Sequence, residues 1–171
     1  AKVMYGHPFS GRPSALQLDY KADVGHEVIR GTGFSRLKPM GYPDYPEIIV
    51  MLQHRWEDPS GRILSLRVGT GIERITENIP EWVNGHQVKI HYGDITSEPF
   101  YRDYMGFKND PEIAYHAINS KGENVIVEEV GWADEDVEPN HMIILFMSSS
   151  GKAFYGGVGN TLWVDNVRLI M

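Results

Sequence analysis

At 171 residues the chain suits one domain with a core of ordinary size. Its net charge of -7 excludes a nucleic-acid binder that works by neutralising phosphate, and the lack of cysteine excludes disulfides, thiolate metal sites and a cysteine nucleophile. An apolar share of 42% excludes a disordered chain, and 18 glycines with 10 prolines favour turns over long helices.

Val3 to Pro13 is punctuated by Gly6, Pro8, Gly11 and Pro13 and reads as loop. Leu16, Leu18 and Tyr20 then alternate with Gln17, Asp19 and Lys21, which predicts a first strand over 15–24. Val28 to Phe34 is a short strand candidate between glycines. Lys38 to Pro46 contains Pro39, Pro43 and Pro46; with φ fixed and amide donors missing, an ordered loop is expected. Glu47 to Trp56 is the strongest apolar run of the first half and reads as a central strand buried on both faces. Asp58-Pro59-Ser60-Gly61 is a turn, and Ile63 to Val68 returns as the hairpin partner, ending at Gly69-Thr70-Gly71. Ile72 to Val83 has mixed spacing, with Pro80 set against any helix.

His86 to Tyr92 alternates and predicts a strand. Asp110-Pro111-Glu112 has the form of a helix start, so one short helix to Ile118 is expected. Asn124 to Val130 is a β-rich run, 133–140 an acidic loop, and His141 to Met147 an apolar strand ending in three serines. After a glycine-rich loop, Thr161 to Ile170 alternates with a period of two and closes the chain as a strand, expected to pair with the strand close behind it. About eight to ten strands with little helix predict an all-β, two-sheet sandwich of jelly-roll type, with at most one or two short helices, in a single domain over 1–171.

Two stretches carry a resemblance. Phe9-Ser10-Gly11-Arg12-Pro13-Ser14-Ala15-Leu16-Gln17-Leu18-Asp19-Tyr20-Lys21 and Ser148 to Val167 resemble the two ends of the PCMD family, a carbohydrate-metabolism domain of exported Bacteroidetes proteins. Val68-Gly69-Thr70-Gly71 is a third point of likeness. Asn160 stands where the family more often has serine, Ala22 where it has an aromatic, and 94–140 has no counterpart. The resemblance implies a sandwich similar to carbohydrate-binding modules, a cell-surface, extracellular or periplasmic location, and a role in glycan use. The start at Ala1 without a signal peptide leads to the expectation of a trimmed C-terminal module of a larger exported protein. Expected partners are a glycan or other domains of that protein, with no nucleic acid and no membrane span in this chain.

Sugar binding needs flat rings for the CH faces of pyranoses beside polar groups for hydroxyls. Tyr42 and Tyr45 are the first candidates, because a stiff proline loop holds rings out at low entropic cost. Trp56, Trp82, Tyr101 and Tyr104 follow. For any one ring, packing on the sandwich is the weightier reading, and Trp163 between Leu162 and Val164 is assigned to packing. A structural calcium is the one cofactor expectation. Asp165 is its nominee, with Asp19 or Asp23 as partners, against the weightier reading of carboxylates paired with Lys21 or Arg168. Asp19, Glu57, Glu73, Glu81 and Asp94 are carboxylates for a glycosidase, and none is singled out, so catalytic residues stay unassigned. Gly157 and Gly159 are read as structural, and Arg12 as a tie to the glycine-rich loop through its carbonyls. A non-catalytic carbohydrate-binding module is the leading expectation, with a polysaccharide-active enzyme and a structural adhesion domain as rivals.

Overall fold

A computed structural model describes residues 3–32, 34 and 36–171. The strands are β1 (His7–Pro8), β2 (Ala15–Asp23), β3 (Val28–Arg30), β4 (Lys38–Pro39), β5 (Glu47–Glu57), β6 (Ile63–Arg74), β7 (Ile79–Lys89), β8 (His91–Tyr92), β9 (His116–Ile118), β10 (Asn124–Trp132), β11 (His141–Met147), β12 (Tyr155–Gly157) and β13 (Thr161–Ile170). One 3-10 turn, Asp103–Met105, accompanies them. Among the described residues no helix is long and apolar enough to cross a membrane.

The strands form an all-β sandwich. The large sheet runs β1-β11-β5-β6-β10-β9, with β8 also on β6. A smaller sheet, β13-β2-β7, packs against it, and a third sheet consists of β12-β3-β4. Among the described strands the pairings are antiparallel except β10 on β6, and an isolated bridge between Met4 and His116 is also parallel.

Alternation decides what each face buries. Leu16, Leu18 and Ala22 of β2 meet Ile48, Val50 and Leu52 of β5 in the core between the two larger sheets. Each fully buried leucine, isoleucine or valine there contributes about 1.5–3 kcal/mol, and Ala22 less. The intervening β5 residues, Ile49 and Met51, point the other way into a second core with Ile72, Tyr115, Val127 and Ile143. Strand β5 is therefore buried on both faces, as its unbroken apolar run predicts. Tyr104 and Met105, from the loop that follows β8, cover the second core.

Four expectations need correction. The closing strand β13 does not pair with β11; it pairs with β2 along eight registered residue pairs, while β11 pairs with β5 in the other sheet. The tail thus joins the front of the chain. Residues 111–118 form no helix: Asp110 accepts one turn of amide bonds from Ile113 and Ala114, and His116–Ile118 then pairs with β10. Tyr115 leaves that turn for the second core.

The hairpin strand does not end at Gly69-Thr70-Gly71; β6 runs through it to Arg74. These glycines admit a close crossing, because a Cβ on Gly71 would sit 2.8 Å from both the Lys89 carbonyl oxygen and Val50 Cγ1. The proline loop also begins with a two-residue strand, Lys38–Pro39, paired with β3. Of the predicted run 28–34, Val28–Arg30 is strand, and Gly33 lies outside the described residues.

Candidate functional site

The outward face of β13-β2-β7 carries the most regular arrangement of polar and aromatic side chains. Along β2, Gln17, Asp19, Lys21 and Asp23 alternate with the core residues and so point away from the core. Each has neighbours on the flanking strands. Gln17 lies opposite Arg168 on one side and Gln87 on the other. Asp19 lies opposite Asp165 and accepts the Gly85 amide at 2.6 Å. Lys21 lies opposite Trp163, and on its other side stands Trp82.

The Lys21 ammonium sits 4.5 Å from the Trp163 ring centre and 5.7 Å from that of Trp82. Cation–π attraction of about 0.5–1 kcal/mol per exposed pair holds the three side chains in one row. Trp163 is 38% exposed and Trp82 43%, so both rings keep open surface. They stand on strands separated by β2, two strand spacings or about 10 Å apart. Trp163, assigned to packing from its alternation, alternates as expected but faces outward, since Leu162 and Val164 take the core side.

Beside this row two carboxylates face each other. Like charges directly opposite destabilise a sheet pair. Donors offset that here: Asn166, at a bulge in β13, gives its side-chain amide to Asp19 at 2.6 Å and its backbone N–H to Asp165 at 2.7 Å. Asn166 adopts φ 51°, a left-handed conformation that asparagine tolerates. The Asn166 amide, then the Gly85 amide, holds the Asp19 carboxyl below its ordinary pKa. The structure brings Asp19 and Asp165 together but not Asp23, which lies opposite Thr161, four residues or about 13 Å along β2 from Asp19. Among the described residues no group of three or more His, Cys, Asp or Glu side chains could hold a metal ion.

The other ring candidates do not converge. Tyr42 and Tyr45 precede the start of β5, whereas Trp56 stands near its far end beside His54. Tyr42 is exposed and Tyr45 half-buried. Tyr104 packs against the Arg74 guanidinium at 4.2 Å, on the far side of the large sheet, and the Tyr101 hydroxyl abuts Gly106.

Of the glycosidase candidates, Glu57 accepts from Ser120, Glu73 is paired with His86, and Asp94 binds the Thr96 amide and hydroxyl. Arg12 does bind a carbonyl, but that of Val137 at 3.0 Å, in the acidic loop rather than the glycine-rich one, while stacking on Tyr92 at 4.3 Å. The glycine-rich loop has its own anchor, Asp44, which carried no sequence signal beyond an acid between two prolines. Its carboxylate accepts from Ser149, Ser150 and the Gly157 amide, and its backbone carbonyl from the Asn160 side chain. Gly157 makes room for the Asn160 side chain, whose Nδ2 would lie 2.3 Å from a Cβ there, and Gly159 turns the loop at φ +90°.

The fold and this face define a β-sandwich with an exposed aromatic platform on its smaller sheet. No family model, curated protein or solved structure matches the chain.

Proposed function

We propose that the chain is a non-catalytic carbohydrate-binding module of an exported cell-surface or periplasmic protein, and that Trp82, Lys21 and Trp163 form its binding platform. One observation carries this reading: two tryptophans held open in a row across three strands, with amides and carboxylates in adjacent rows. Indole faces pack on the CH faces of pyranose rings, and Gln17, Gln87, Asp165 and Arg168 offer donors and acceptors for hydroxyls. An extended sugar chain advances by about one strand spacing per residue. Two rings two spacings apart thus suit alternate sugars of an unbranched glycan lying across the strands. The sequence resemblance to the PCMD family points the same way, although a shared fold alone would not fix a function.

The test is affinity gel electrophoresis of the protein through soluble xylan, mixed-linkage β-glucan and galactomannan, run beside a reducing-sugar assay. Retardation by at least one polysaccharide without release of reducing ends supports the module. Release of reducing ends would move the protein to the polysaccharide-active enzymes, and no retardation by any of them would favour the structural domain.

A further inference from the structure

A cleft of about 310 Å³ opens at the edge of the second core, on the far face of the large sheet, with that sheet and the main core between it and the tryptophan face. Glu47, Ile49 and Arg74 line its sheet side, and Tyr104, Lys108 and Tyr115 line the side of the covering loop. Clefts of this size hold small organic ligands.

Two of the three cations beneath the loop are matched by acids, while Asp103 and Glu112, the latter paired with Lys152, stand at the cleft's edge. Arg67 grips Glu129 with two nitrogens at 2.5 and 2.6 Å, both side chains buried. Arg74 is paired with Glu47. Lys108 is the third cation of the group. Its ammonium donates to the Tyr104 carbonyl at 2.7 Å and, among the described residues, has no other hydrogen bond and no ion pair. An ammonium has three donors, so two remain unused. Burial lowers the Lys108 pKa, with Arg67 and Arg74 repelling the proton and Glu47 and Glu129 attracting it. An anion that entered the cleft would meet this cation in a partly dry setting, where charge attraction is several times stronger than in water.

We propose that the cleft is a second ligand site for a sugar acid of the hexuronate class, its carboxylate on Lys108 and its ring against Tyr104 and Tyr115. A single negative charge matches Lys108, the one cation of these three without an ion pair among the described residues. A phosphate dianion would bring its second charge against Glu47, Asp103 and Glu112, which also line the cleft. The site is independent of the tryptophan platform and stands or falls without it.

The test is a titration of the full chain, followed by amide NMR shifts, with sodium glucuronate, glucose and inorganic phosphate in parallel. The proposal predicts saturable shifts at Tyr104, Lys108 and Glu47 with glucuronate, and none with glucose or phosphate. Lys108→Met should weaken glucuronate binding at least tenfold, about 1.4 kcal/mol. Trp82→Ala should leave it unchanged. Absence of saturable shifts in the wild-type protein would overturn the proposal, and so would equal binding by a folded Lys108→Met chain. Shifts with phosphate as large as with glucuronate would overturn the sugar-acid assignment. Should Lys108→Met not fold, Lys108→Arg keeps the charge and must retain saturable glucuronate shifts for the proposal to survive.

Discussion

Asp44 is 4% exposed and has no cationic partner among the described residues, yet its carboxylate is held by hydroxyls and amides from two segments more than a hundred residues away. Burial alone would raise its pKa; the Ser149 and Ser150 hydroxyls and the Ser150 and Tyr45 amides outweigh that and lower it. A folded-state pKa below the unfolded value means that its stabilisation is full above the ordinary aspartate range. It is lost as pH falls through the folded pKa. Asp44→Asn puts an amide among donors and should cost about 2–3 kcal/mol at neutral pH. The measurement is the urea midpoint of both proteins, and their difference should narrow below about pH 4. Glu129 behaves alike at a deeper site. Burial would raise its pKa, but the Arg67 charge and fork lower it. Glu129→Leu leaves Arg67 buried and unpaired, so thermal unfolding should report a loss of about 3–5 kcal/mol.

Strands that alternate or run unbroken were legible, because side-chain period and burial are set by local sequence. Val137 shows where legibility stops: it packs on the main core from within a loop read only as acidic. The covering loop over the second core was not legible either, since Tyr104, Lys108 and Tyr115 acquire meaning only from contacts distant in the chain. Gly69-Thr70-Gly71 misled for a physical reason. Glycine marks a turn by its φ freedom and a crossing by its lack of Cβ, and the sequence looks the same in both cases. Gly71→Ala should therefore destabilise by about 1–3 kcal/mol through overpacking against Val50 and the Lys89 carbonyl, seen as a lowered thermal midpoint. Pro80 is tolerated in β7 because that strand is an edge of its sheet.

At the scale of the whole molecule, β13 joins β2 and so sets Trp163 beside Lys21, residues 142 positions apart in sequence. The alternation of each strand could be read from the sequence, but not which strands would be neighbours. For that reason the sequence marks Trp82 without its partner, and the alternation around Trp163 reads as packing. The row is solvent-facing, so its rings can be removed at little cost to the core: Trp82→Ala with Trp163→Ala should shift the thermal midpoint by only a few degrees, about 1 kcal/mol. Affinity gel electrophoresis of this double variant beside the wild-type chain tests the platform most directly. The account predicts that a polysaccharide which retards the wild type leaves the folded double variant at its glycan-free mobility. Equal retardation of the two proteins would contradict it.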